Sequence, residues 1–194
     1  MRTLRLSLVG TVILALLGGS GGVVVAQESE EVAFPTGTFV SVENPSWRYD
    51  WYADGTGSGR SYDVRASWSF TYATNGDLYT EMTHDYLGNR QVPATYHWAY
   101  DGEQLTFELW GEDLVGWRKT RYSLTWRWVE DPREVLVAAQ DIPAGYAVLV
   151  KPIVVSAAEV GPDALTDVAE ALEYVTAVDV HAGQPITADL VERR

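Results

Sequence analysis

Through the middle of the chain, aromatic residues return at every second position. Trp68, Phe70 and Tyr72 are separated by Ser69 and Thr71, and Tyr96, Trp98 and Tyr100 by His97 and Ala99. A period of two puts such residues on one face of a strand, whereas a helix gathers positions three and four apart. After Tyr100, Asp101-Gly102 opens a two-residue turn, since glycine accepts positive φ without a Cβ clash. The return strand sets Leu105, Phe107 and Leu109 against Thr106 and Glu108. A last strand is predicted with Tyr122, Leu124, Trp126 and Trp128 on one face and Ser123, Thr125 and Arg127 on the other. Asp54-Gly55 and Asn75-Gly76 supply further turns. No stretch of 34–132 sustains a helical period, so this region reads as an antiparallel β-barrel or sandwich.

The aromatics also stop abruptly. All eight tryptophans lie between Trp47 and Trp128, and only Tyr146 and Tyr174 follow in a chain of 194 residues. That shift predicts two modules with different cores, the second over 133–194. Acidic residues number 27 against 14 basic ones, a formal charge of −13. Such a balance argues against nucleic acid as a partner and against a polybasic hold on lipid. With no cysteine, disulfides, thiolate chemistry and cysteine-ligated zinc are excluded.

Arg2 and Arg5 precede an apolar run from Leu6 to Leu17, a Gly/Ser patch and Val24-Val25-Ala26. A basic start, an apolar stretch and small residues before a break match a secretory signal peptide over 1–26, cut after Ala26. The alternative is an uncleaved N-terminal anchor, because Leu6 to Ala26 is free of charge and long enough to span a bilayer. Either reading exports the rest of the chain to the periplasm, the cell surface or the medium. Membrane contact would come only through an uncleaved segment. Residues 27–33 read as an acidic linker.

Several features of 34–132 resemble lipocalin-like β-barrel modules of exported bacterial proteins. They are Pro35-Thr36-Gly37-Thr38-Phe39, the Asp54-Gly55-Thr56 turn, the hairpin from Thr95 to Phe107, and Glu112-Asp113-Leu114-Val115-Gly116-Trp117-Arg118. The resemblance implies an up-and-down barrel able to hold a small apolar ligand. Within it, Trp47, Tyr49, Trp51 and Tyr52 form a dense cluster. Alternation puts the first three on one face, either as an inward stripe or as a platform for stacking sugars or flat apolar groups. These four are the candidate ligand-binding residues.

The second module contains an internal repeat with an offset of 38. Ala139 to Gly145 parallels Ala177 to Gly183, matching Asp141 to Asp179, Ile142 to Val180, Ala144 to Ala182 and Gly145 to Gly183. Two copies of strand, Ala-Gly turn and strand predict a pseudo-symmetric β domain. The Ala-Gly turns suit a tight reversal beside a packed strand, and Asp141 and Asp179 could accept backbone hydrogen bonds within those turns. Between the copies, Leu165, Val168, Ala169 and Leu172 fall at helical spacing.

The repeat resembles the SAF domain, a β-clip fold. Asp141-Ile142-Pro143-Ala144-Gly145 and the run from Asp179 through Gly183, Gln184 and Pro185 to Leu190 carry the likeness. Asp141, Pro143, Gly145, Asp179, Gly183 and Pro185 are read as structural turn residues. In an exported protein the resemblance points to SAF modules of Flp-type pilus assembly proteins and flagellar ring-assembly chaperones. Cytosolic relatives include sialic acid synthases and sugar-acid dehydratases, whose catalytic partner domains cannot be seen in this sequence.

Nothing in the chain has the spacing of a catalytic or metal site. His84, His97 and His181 lie far apart, and no nucleophile elbow, phosphate loop or dinucleotide fingerprint occurs. The expectation is therefore a mainly β, two-module exported protein without cofactor or metal that binds rather than catalyses. Its predicted partners are envelope or pilus-assembly proteins. A small apolar ligand in the barrel, or a glycan, is the alternative.

Overall fold

The structure, a computed structural model, describes residues 33–84 and 90–194. The leader and all of the linker except Ala33 lie outside the described residues. Eight strands form a closed antiparallel barrel: β1 Gly37–Ser41, β2 Trp47–Trp51, β3 Thr56–Ser61, β4 Ala66–Asn75, β5 Leu78–His84, β6 Gln91–Tyr100, β7 Gln104–Trp110 and β8 Trp126–Val129. Each pairs with its successor and β8 returns to β1, giving the up-and-down order.

The alternation read in the sequence is the inside of this barrel. Phe39, Tyr49, Trp51, Phe70, Tyr79, Tyr96, Trp98, Leu105, Tyr122 and Trp126 form one buried cluster, with Trp47, Trp68, Tyr72, Tyr100 and Phe107 packed against it. Each fully buried side chain of this size contributes roughly 2–3 kcal/mol. Phe34, just before β1, joins the interior with its ring 5.1 Å from that of Tyr79 and 5.2 Å from that of Trp98. The interior is therefore filled by aromatic side chains. Gly57 and Gly59 make the room: a Cβ at either would lie 2.1 Å from the ring of Phe70 or Trp68, its partner on β4.

The predicted last strand is corrected in part. Gly116–Tyr122 is a helix, α1, and only Trp126–Val129 is a strand. The helix buries Arg118 and Tyr122, four positions apart on one face. One of the two is charged, so no apolar period marks the helix in the sequence.

The C-terminal module holds β9 Pro132–Ala138, β10 Val150–Ser156, a single helical turn α2 Val168–Ala171, β11 Tyr174–Thr176 and β12 Val191–Arg193. The helical spacing from Leu165 to Leu172 thus shrinks to one turn. The Leu165 amide donates to the Ile186 carbonyl and its own carbonyl accepts from Leu136, so strand-like pairing has claimed that backbone. The repeat is a pseudo-twofold. Ile142 and Val180 exchange both backbone bonds, at 2.8 and 2.9 Å, and the bridge Val137 to Pro185 mirrors Ala147 to Val175. Gly145 and Gly183 share φ of 81° and 80°. A Cβ at either would meet nothing within 4 Å, so positive φ, and not a neighbouring strand, is what calls for glycine there.

The two modules meet through side chains that point out of the barrel. Val40 and Val129 form a small buried cluster with Val154 of β10, flanked by Tyr62. The Tyr62 hydroxyl donates to Glu134 at 2.7 Å, and Arg127 pairs with Glu159 at 2.7 Å.

Candidate functional site

Two polar constellations stand out, one inside the barrel and one between the modules. Inside, β5 turns Tyr79, Glu81 and Thr83 inward, and Glu81 is fully buried. Helix α1 brings Arg118 and Tyr122 against it. Glu81 Oε2 is hydrogen bonded to the Tyr122 hydroxyl, which lies 2.8 Å from that of Tyr79. Glu81 Oε1 has no hydrogen-bond partner among the described residues. Burial pushes the Glu81 carboxyl up to about 7, against the lowering influence of Tyr122 and Arg118.

Arg118 is held on every side. It grips Asp113 through Nε at 2.9 Å and Nη2 at 2.7 Å, and its Nη1 donates to the Val92 carbonyl at 2.8 Å. Burial alone would raise the Asp113 carboxyl, but the bonds from Arg118, Tyr96 and the Val115 amide outweigh it and hold it below the ordinary value. This network buries a fixed charge pair and a protonatable acid in a space already full of rings. It fastens α1 into the barrel.

The second constellation is a groove of about 790 Å³ between the β3–β4 hairpin and the C-terminal module. Arg60, Tyr62 and Arg65 line one wall, and Glu134, Val150, Lys151, Pro152 and Val168 the other. Glu134 accepts from Tyr62 and faces Arg60 Nη1 at 3.5 Å, while Asp63 accepts from Asn44 at 2.8 Å. The acids of the groove are thus engaged. Arg65 and Lys151 form no ion pair among the described residues.

The repeat turns exchange their acids. Asp141 accepts from the Ala182 amide and Asp179 from the Ala144 amide, each at 2.8 Å. The two aspartates thus accept backbone hydrogen bonds within the Ala-Gly turns, each from the opposite copy. Pro143 and Pro185 sit within the same arrangement, the Pro143 carbonyl accepting from Thr176 at 2.6 Å and Pro185 bridging Val137.

Residues 133–192 match the family model of the SAF domain. The C-terminal module is a SAF domain. No curated protein and no solved structure matches the chain. The family boundary at 133 falls one residue into β9, so the eight-stranded barrel is the part that precedes the SAF domain.

Of the candidate ligand residues, the register turns Trp47, Tyr49 and Trp51 inward. Tyr49 and Trp51 are stacked on each other at 4.9 Å in the barrel core, whereas Tyr52 is exposed outside. Trp47 is half-buried near the Arg121 guanidinium, which lies 3.4 Å above the ring of Trp68. His97 lies 2.8 Å from Asp77 and His181 is exposed near Asp141; the side chain of His84 lies outside the described residues. Sequence reasoning missed Arg65 and Lys151, because an isolated basic residue on an acidic chain carries no pattern until the fold gathers it.

Proposed function

We propose that the chain is an exported binding protein of the cell envelope, without catalytic activity, whose SAF domain docks on a partner in pilus or surface-structure assembly. The observation that supports this most is the groove, because it exists only where the SAF domain is held against the barrel. The barrel then acts as a rigid support that fixes one wall of a recognition surface. A ligand carried inside the barrel would have to displace Phe34, Tyr79 or Trp51 from a packed interior, so the surface is the better place for binding.

Two measurements test the reading. A phosphatase that is active only outside the cytoplasm, fused after Arg194, should be active. Photo-crosslinking residues at Val168, in the groove wall, and at Val64, exposed on the hairpin between the wall residues Asp63 and Arg65, should capture a discrete envelope protein that the same residue at Glu108, on the far side of the barrel, does not. An inactive fusion, or equal labelling from all three positions, would overturn it.

A further inference from the structure

The groove's charge is the reverse of the protein's. On a chain of formal charge −13, Arg60, Arg65 and Lys151 converge on one concave surface, and both acids lining it are bonded to neutral groups or to Arg60. Clefts focus the field of their lining charges, so an acidic partner gains more here than on a flat surface.

The backbone at Arg65 gives a second, independent observation. Arg65 has φ of 50°, the left-handed region that glycine and asparagine enter most easily. The hairpin Tyr62 to Arg65 could take that shape at lower cost with glycine at this place. The side chain there is long, cationic and exposed, and it forms no ion pair among the described residues.

The opposite wall offers a main-chain edge. Strand β10 belongs to a two-stranded sheet and pairs with β9 alone. The other edge of β9 is taken, by Leu165 and Ile186 bonding to Leu136. Pro152 lies opposite Leu136, whose N–H and C=O point away from β10, so its missing N–H falls on the free edge and pairing there runs through the Val150 N–H and the Val150 and Pro152 carbonyls. Val150, Lys151 and Pro152, the first part of this strand, line the groove, and Val150, Pro152 and Val168 give it an apolar floor.

We infer that the groove binds an extended acidic polypeptide segment of a partner, adding it beside β10 with its carboxylates against Arg60, Arg65 and Lys151. Main-chain pairing would supply affinity and the cations specificity. This rests on the reading of the chain as a binding protein and names the chemistry of its partner. A nucleic-acid occupant is disfavoured because the surrounding field repels a long polyanion.

The test uses the full chain and a fluorescein-labelled decapeptide alternating glutamate with valine, followed by anisotropy. Saturable binding is expected, weakening as salt is raised and falling about tenfold in the pair Arg65→Glu and Lys151→Glu. Arg65→Gly should also weaken binding while leaving tryptophan emission native, since the backbone favours glycine there. The same peptide N-methylated at every residue should lose binding, because it has no N–H left to donate to an edge. Equal binding of a lysine–valine peptide, no saturable binding, or unchanged affinity in the charge variants would overturn the inference. So would a polygalacturonate competitor that displaces the peptide while the N-methylated form binds as well as the parent, since an acidic glycan would then be the occupant. Should the peptides fail while Val64 and Val168 still cross-link an envelope protein, the binding-protein reading stands and only the acidic partner falls.

Discussion

The barrel and the SAF domain solve the same problem, holding a β structure together without a single disulfide, in opposite ways. The barrel is fastened by side chains: a core of interlocked rings and one buried ion network around Arg118. The SAF domain has a small aliphatic core and is fastened by main chain, through two turns that cap each other. A side-chain lock concentrates stability in few atoms, so single substitutions should cost much. A shared main-chain lock spreads it over equivalent places, so single substitutions should cost little and match in pairs.

The sharpest way to break that contrast is Arg118→Met. It leaves Asp113 and the Val92 carbonyl without their buried partner, and stripping one side of such a pair costs about 3–5 kcal/mol. Urea unfolding followed by tryptophan emission reads this cleanly, because every tryptophan lies in the barrel. A loss comparable to that of an exposed arginine would show that the network is incidental.

Glu81 comes next, and its effect depends on pH. Its folded carboxyl titrates at about 7 against 4.5 for an unperturbed glutamate. The stability tied to the protonated form is thus complete below the unfolded value and is lost as pH rises through the folded one. The loss is on the order of 3 kcal/mol. Asp113, held low by Arg118, acts in the other direction: its contribution is present above the ordinary carboxylate range and is lost in acid. The wild type should accordingly be less stable at pH 8 than at pH 5.5. Glu81→Gln should flatten that slope and be the more stable of the two at pH 8. A wild-type slope that persists in the variant would place its origin elsewhere.

The same two residues explain what the sequence conceals. The alternation around Trp68, Tyr96 and Leu105 made the barrel legible, because apolar residues mark the inner face directly. Glu81 occupies that same inner face and Arg118 packs against it from α1, yet a charged residue in an alternating strand reads as outward. Helix α1 was hidden for the same reason, and the one-turn helix α2 was overread because Val168 and Leu172, at helical spacing, are exposed. The SAF repeat was legible because it recurs with a fixed offset, a signal that does not depend on burial. The groove was not, since Arg65 and Lys151 are 86 positions apart and only the docking of two modules brings them together.

A smaller effect is expected at Gly59. An alanine Cβ there would meet Cε2 and Cζ2 of Trp68 at 2.1 Å, and that ring is pinned by Arg121 on one face and Tyr49 at its edge. Overpacking of this kind costs about 1–3 kcal/mol. Gly145→Ala gives the matched comparison, because no atom stands within 4 Å and only the positive φ opposes it. Its cost should be about 1 kcal/mol. If the two substitutions cost the same, the Trp68 ring gives way and packing is not what requires glycine at this place in β3.

The smallest effects test the symmetry of the SAF domain. Asp141 and Asp179 are exposed, and each accepts one amide from the opposite turn at the same distance. Replacing either by alanine removes one charge-assisted bond from a solvated site, about 1 kcal/mol. Two equal losses follow if the pseudo-twofold is energetic as well as geometric. Hydrogen exchange resolves them: Asp141→Ala should deprotect the Ala182 amide and Asp179→Ala that of Ala144. Both turns also depend on the Ile142 and Val180 bridge between them, so opening one loosens the partner of the other. The double variant should then lose less than the sum of the singles. Strict additivity would mean that the two turns are independent caps that merely look alike.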